Sequence, residues 1–379
     1  MRILLVGEYS RLHNSLKEAL VQLGHEVTLV GTGDGFKNFP VDVDIDAKWL
    51  KSKVPNLFRQ VLYKLFRYDI ARIEYGMRFR NELPKLKNYD VVQLISLTPF
   101  FAPLWMEFAL LKKLRSQNKT MFTLTSGTDA IFMKAAMEGK FRYSLIDPYL
   151  ADKSIAEEYA YALPHLTTGF KKHHEKMLHL LNGIIATDID YDIALTGHPK
   201  SLGMIPNPVN IETIPFGIPD INEEIVIFHG INRWNYHKKG NAFFEEALEI
   251  IEKKYPGRVK IITAENIPYV DYIKLYDASH ILLDQVYAYD QGYNALEAMA
   301  RGKVVFTGAE KEFMAFYGLD EPVAINALPD INDIVSKLSF LIDHPEEISA
   351  IGKRAREFVE KEHDYLKVAT KYNALWVKK

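Results

Sequence analysis

The alternation of strand-like and helix-like segments constrains this chain more than any other feature. ILLVG (3–7), the helical stretch LHNSLKEALVQLG (12–24) and EVTLVG (26–31) open it as a β-loop-α-β unit. The pattern continues through VVQLISL (91–97), a helix near 105–116, TMFTLTS (120–126) and GIIATD (183–188). A second series runs through IVIFHG (225–230), FFEEALEIIEKKY (243–255), VKIITA (259–264), VDYIKLYDAS (270–279) and HILLDQ (280–285). Strands that alternate with helices build parallel sheets covered on both faces. Proline-rich IPNPVNIETIPFGIP (205–219) separates the two series. The expected fold class is therefore α/β, with two doubly wound, Rossmann-like domains facing across a cleft. The expected boundaries are 1–204 for the first domain, 205–222 for a linker and 223–359 for the second domain. The C-terminal helix, about 360–379, is expected to pack back on the first domain. In open α/β sheets ligands sit at the carboxyl ends of strands, at a switch point, so the cleft is the expected site.

Composition excludes several chemistries. The 379 residues include no cysteine, which rules out disulfides, thiolate metal sites and a cysteine nucleophile. A net charge of -2 gives no global attraction to nucleic acid. The opening MRILLVGEYS reads as a strand rather than a leader, and no apolar run approaches the roughly 18 residues that cross a bilayer. The expected location is cytoplasmic, or peripheral to the inner face of the membrane. Charge is uneven locally, with 11 Lys/Arg against 5 Asp/Glu from Asp46 to Asp90. KSKVPNLFRQVLYKLFRYDIARI within that stretch reads as a basic amphipathic helix on anionic lipid, or as a core-facing helix with a solvated basic side.

The motifs narrow the chemistry further. The first turn, VGEYSRLHNS, has one glycine where a dinucleotide fold needs three, and neither a P-loop nor G-x-S-x-G is present. No cofactor is expected. Two D-x-D patterns, at Asp42, Asp44 and Asp46 and at Asp188, Asp190 and Asp192, read as solvated turn or cap residues rather than metal ligands. GINRWNYHKKGN (230–241) follows a strand and precedes a helix, which places the cations Arg233 and Lys239 where they can hold a diphosphate. The alternative is a charged surface loop with solvated lysines. DQGYNALEAMARGKVVF (290–306) reads as a helix starting near Gly292, with Glu297 one turn in. Free amides at the helix start favour phosphate, and a carboxylate one turn in suits sugar hydroxyls such as those of a ribose.

These second-half motifs resemble the GT-B fold retaining glycosyltransferases of family 4, the group 1 transferases. The family helix reads E-A-M-A-x-G-x-P-V, and here EAMARGKVV stands in its place. Arg233 and Lys239 are similar to the family's donor-diphosphate pair, and IPNPVN (205–210) is similar to its linker entry. The family carries two glutamates eight residues apart, yet Tyr289 occupies the first position here and Asp290 follows it. A sub-branch with D-Q, glycine and a single glutamate matches Asp284, Gln285, Gly292 and Glu297.

The resemblance implies transfer of a sugar from a nucleoside-diphosphate donor, UDP or GDP, to an acceptor hydroxyl with retention, in cell-surface polysaccharide or glycolipid synthesis. It implies catalytic roles for Arg233, Lys239 and Glu297, and no metal. Donor contacts fall to Gln285, Tyr289, Asp290, Gly292, Tyr293 and Asn294, with Tyr269 stacking on the base. Glu8, His13 and Asp129 follow first-domain strands and are the acceptor-side candidates, each with an alternative role as a cap or turn residue. The acceptor is expected to be a sugar or lipid-linked, with membrane contact through residues 46–90 and no nucleic acid. The rival readings are a sugar-nucleotide 2-epimerase of the same architecture and a non-catalytic sugar- or nucleotide-binding relative.

Overall fold

A computed structural model describes residues 1–34, 39–218, 221, 224–265 and 274–378. Seven parallel strands form the first sheet: β1 (Arg2–Val6), β2 (Glu26–Gly31), β3 (Val43–Asp44), β4 (Val91–Leu94), β5 (Thr120–Thr125), β6 (Gly183–Ala186) and β7 (Ser201–Met204). Their spatial order is β3-β2-β1-β4-β5-β6-β7. Five more, β8 (Ile225–Ile231), β9 (Val259–Glu265), β10 (Ile281–Leu283), β11 (Val304–Thr307) and β12 (Ile325–Asn326), form a second parallel sheet in the order β12-β11-β10-β8-β9. The sequence reading lacked β3, β7 and β12, which are short edge strands with half-exposed residues and no apolar run.

Both faces of each sheet are covered, which is why the strands read as continuous apolar runs. Leu4 and Val6 face one core with Val92 and Leu94, whereas Ile3 and Leu5 face the other with α1 (Leu12–Gln22). That second core is completed by the last helix, Tyr365–Val377, through Tyr365, Val368, Tyr372 and Trp376. The Trp376 indole N–H donates to Gln93 Oε1 at 3.3 Å, and the Gln22 amide donates to the Tyr365 hydroxyl at 2.7 Å. In the second sheet Phe228, Leu282 and Val305 pack under the helix Tyr293–Ala300, while Ile227, Leu283 and Phe306 face the helices Asn241–Lys254 and Ile331–Asp343.

The chain passes between the domains twice, and the two passages touch. Val209 and Asp364 form a parallel bridge, the Val209 N–H donates to His363 O at 2.7 Å, and the Tyr365 N–H donates to Val209 O at 3.1 Å.

The basic stretch differs from the single helix read from sequence. It is two helices, α2 (Lys53–Phe66) and α3 (Ala71–Glu82), broken at Arg67, whose φ of 51° is left-handed. Among the described residues no helix is long and apolar enough to cross a membrane.

Candidate active site

Strand order reverses between β1 and β4 in the first sheet and between β8 and β10 in the second. The loops after these four strands therefore splay apart and leave a crevice at each switch point. Arg233, Lys239, Gln285, Tyr289, Asp290 and Gly292 all lie on the loops after β8 and β10, and Glu8 lies on the loop after β1.

The loop after β8 begins with a capped turn, in which the Asn232 side chain accepts from the Trp234 N–H at 3.1 Å. Arg233 follows on a single 3₁₀ turn, Arg233–Asn235, and Lys239 ends the short helix Tyr236–Lys239. Gly240 then turns the chain with φ at 69°, and a Cβ here would lie 1.9 Å from Val286 Cγ2. Only glycine permits that approach, which seats the loop after β8 on the segment after β10. The Val286 N–H completes the contact by donating to Lys239 O at 3.0 Å.

Asp284 is the centre of this seat. Its buried carboxylate accepts from Lys239 Nζ at 2.7 Å and Asn294 Nδ2 at 3.0 Å, both on Oδ1, and from Thr307 Oγ1 at 3.4 Å on Oδ2. Lys239 and Asn294 thus meet at one oxygen, beside the start of the helix Tyr293–Ala300. Gly292 is that helix's N-cap, and a Cβ added to it would meet open space. The first amides of the helix have no intrahelical acceptor and carry the positive end of its dipole. A lysine and an amide side chain therefore meet beside the positive end of a helix dipole, an arrangement that suits a diphosphate. Thr307 was not singled out in the sequence, where a threonine at a strand end carries no distinctive signal.

Arg233 stands apart from this cluster and half exposed. Its guanidinium grips Glu265 bidentately at 2.8 and 2.6 Å and lies 4.9 Å from the Tyr236 ring centroid. An exposed ion pair of this kind contributes little and exchanges readily for a better anion. Lys238, read as a solvated neighbour of Lys239, is instead buried, with its ammonium 4.0 Å from the Tyr161 ring centroid and 5.1 Å from that of Tyr159. Burial lowers its pKa to about 8.

The remaining donor-side residues divide between the crevice and the domain interface. Glu297 is partly exposed on the Tyr293–Ala300 helix, and its charge acts on the Tyr293 hydroxyl of the same helix. Burial is the larger cause that keeps that phenol neutral, and the hydroxyl donates to Pro208 O. Gln285 is partly exposed. Tyr289 is buried, its hydroxyl accepts from the Arg142 N–H at 2.6 Å, and the Arg142 guanidinium covers its ring at 4.7 Å. Tyr269 lies outside the described residues.

Asp290 lies in a carboxylate cluster that joins the domains. Its Oδ2 accepts from the Ile189 N–H at 3.1 Å, and Asp190 Oδ2 accepts from the Tyr289 N–H at 3.0 Å. Loss of water raises both pKa values to about 7, and Asp188 beside them is raised by the same cause. Asp188 does cap a helix, accepting from the Tyr191 N–H at 3.1 Å, but this D-x-D is desolvated rather than solvated. Among the described residues no three His, Asp or Glu side chains form a metal-binding group. The other D-x-D consists of ion-paired residues at and around β3, with Asp42 on Lys17, Asp44 on Lys48 and Asp46 on Lys51.

Across the cleft the first domain presents neutralised groups. Glu8 Oε2 accepts from the Asn14 N–H at 2.7 Å and Nδ2 at 2.6 Å, while burial raises the carboxyl to about 7. Burial lowers His13 to about 4, so the ring is neutral and Nδ1–H donates to Gly7 O at 2.7 Å. Asp129 is the N-cap of the helix Ala130–Met137, and its Oδ1 accepts from the Ile131 N–H at 2.9 Å and the Phe132 N–H at 2.8 Å. Desolvation lifts it to about 6. Glu8 Oε1, His13 Nε2 and Asp129 Oδ2 are buried without a partner among the described residues.

The domains are held closed around this site. Arg142 of the first domain bonds Glu310 at 2.6 Å and Glu312 at 2.6 and 2.9 Å, and the Tyr143 hydroxyl bonds Glu310 at 2.5 Å. Glu158 receives the His237 N–H at 3.2 Å, next to the donor-side lysines.

Residues 226–374 match the family model described as "Glycosyl transferase-like". The chain has the GT-B fold. Sucrose-phosphate synthase from Thermosynechococcus elongatus superposes with a TM-score of 0.62 at 17% identity, covering 100% of this chain and 98% of that one. HepE of Anabaena, in complex with UDP and glucose, gives a TM-score of 0.61 at 14% identity with 100% of both chains covered. No curated protein sequence matches the chain. Tyr289 stands at the position of the first glutamate in the resembled pattern, and its hydroxyl accepts from the Arg142 N–H of the first domain. Asp290 beside it accepts from two backbone amides, which leaves Gln285 as the partly exposed side chain among the three.

Proposed function

We propose that this protein is a glycosyltransferase that transfers a hexose from a UDP-sugar to a hydroxyl of a sugar or lipid-linked acceptor, with retention, in polysaccharide or glycolipid synthesis. The observation that carries the reading is the convergence of Lys239, Asn294 and the open helix start at Gly292 on the buried Asp284 carboxylate. Such a cluster stabilises charge that develops on a leaving diphosphate. The similarity to HepE, which binds UDP, supports uridine as the base.

In this mechanism Lys239 and the helix amides hold the distal phosphate, and Arg233 exchanges Glu265 for the diphosphate. Glu297 accepts hydrogen bonds from the ribose hydroxyls, and Gln285 faces the donor sugar. The bond from the anomeric carbon to the diphosphate oxygen breaks, and the acceptor oxygen bonds to that carbon on the same face. The acceptor proton passes to the departing phosphate oxygen, so no protein nucleophile is required. Glu8, His13 and Asp129 lie on the acceptor side, where their unpartnered atoms favour a hydroxyl-rich ligand.

A thermal-shift series with UDP, GDP, ADP and CMP, with and without magnesium, tests the donor site. Ligand at about 100 times Kd stabilises the fold by about 2.7 kcal/mol, so a magnesium-independent UDP response is expected. Absence of any diphosphate response would overturn the assignment. Retention is read from the anomeric configuration of the product by NMR, and an inverted product would remove that part.

A further inference from the structure

Among the described helices, α2 is turned inside out relative to the other long ones. None of its 14 residues is buried. Val54, Leu57, Phe58, Val61 and Leu65 follow the spacing of one helical face, and that face is 53% to 74% exposed. Its half-buried residues are Pro55, Asn56, Arg59 and Leu62, and Arg59 grips Asp69 with two bonds of 2.7 Å and reaches Asn56 Oδ1 at 3.1 Å. The helix is thus anchored through Arg59 and offers its apolar side outward. Trp49, Phe58, Leu62, Ile73 and Met77 extend the apolar surface into a groove of about 730 Å3 between α2 and α3.

The charge on this face identifies what covers it. From Asp46 to Asp69 the intervening residues include six lysines and arginines and no acid. Lys53 and Lys64 flank the apolar face, are exposed, and have no carboxylate partner among the described residues. An apolar face flanked by the exposed Lys53 and Lys64 matches an anionic bilayer surface, where apolar burial and attraction to headgroups act together. A second copy of the chain fits less well, because two such faces would oppose basic borders.

The face also adjoins the cleft. Arg72, at the start of α3, donates to Phe101 O at 2.9 Å and Ala102 O at 3.2 Å, on the loop after β4. The half-exposed Phe101 ring lies 5.9 Å from that of Tyr9, on the loop after β1. Trp105, 74% exposed, continues the surface beyond it.

We propose that α2 and the α2–α3 groove form a docking surface for an anionic lipid bilayer, seating the acceptor side of the cleft at the membrane. Co-sedimentation of the full chain with phosphatidylcholine vesicles and with mixed phosphatidylcholine–phosphatidylglycerol vesicles tests this. Binding to the mixed vesicles alone, weakened by salt, is expected. The double variant Leu57→Asp/Val61→Asp and the charge reversal Lys53→Glu/Lys64→Glu should each weaken it by about tenfold or more. Both should keep the wild-type melting temperature and UDP response, since these side chains are exposed. Failure to bind mixed vesicles, or binding unchanged in both variants, overturns the proposal. A concentration-dependent dimer abolished by Leu57→Asp/Val61→Asp, without vesicle binding, assigns the face to a second copy instead.

Discussion

The two walls of the cleft handle polar groups in opposite ways. On the second-domain wall charges are kept and paired: Lys239 with Asp284, and Arg233 with Glu265. On the first-domain wall charge is suppressed, with Glu8 raised to about 7, Asp129 to about 6 and His13 lowered to about 4, all by burial. The difference suits the ligand proposed for each wall. A diphosphate needs standing positive charge that an ion pair can release, whereas a neutral hydroxyl is better met by uncharged donors and acceptors. The second-domain wall is a set of ion pairs, and the first-domain wall is a set of buried hydrogen-bonding atoms.

The sharpest way to break this contrast is Lys239→Ala. It leaves the Asp284 carboxylate buried and without its cation, so a loss of about 3–5 kcal/mol in urea unfolding is expected, together with loss of the UDP response. Adding Asp284→Asn should restore much of the stability and none of the UDP response. Recovery of both would show that the lysine acts only structurally.

Glu8→Gln probes the opposite wall. A carboxyl raised on folding contributes stability that is complete below about pH 4.5 and is lost as pH rises through about 7. That contribution amounts to about 3 kcal/mol across the window. The melting temperature of the variant should therefore fall less than that of the wild type between pH 5 and 7.5, and parallel curves would mean Glu8 is already ionised.

Asp129→Ala removes a helix cap, and calorimetry should report a loss of about 1 kcal/mol with the UDP response intact. A diminished UDP response would tie this wall to the donor instead. The smallest change in stability is expected for Arg233→Ala. Its exposed pair with Glu265 adds little to the fold, so the melting temperature should hold while UDP titration weakens. Unchanged UDP affinity would remove Arg233 from the donor site.

Much of the architecture was legible because buried parallel strands announce themselves. IVIFHG, VKIITA and VVF appear as strands within a residue or two of where their apolar runs suggest. The start of the Tyr293–Ala300 helix at Gly292 was likewise written locally, in a glycine before a run of helix formers. What stayed hidden depends on contacts distant in sequence. Lys238 looks identical to Lys239 in the sequence, and only the packing of Tyr159 and Tyr161 from the other domain buries it. Asp188 and Asp190 read as turn acids until Asp290, a hundred residues away, is brought against them. Helix α2 shows the limit most directly. Its amphipathic period gives an apolar face, but periodicity alone cannot say whether protein or something else covers that face.

The bridge between Val209 and Asp364 has a mechanical consequence. Because both passages of the chain between the domains are stitched together there, the second domain is attached at a single pivot rather than along an edge. The Arg142, Tyr143 and Tyr289 contacts, far from that pivot along the chain, then act as a latch on the moving side. Rotation about that pivot would open the cleft, and its frequency would be set by how often the Arg142 latch lets go.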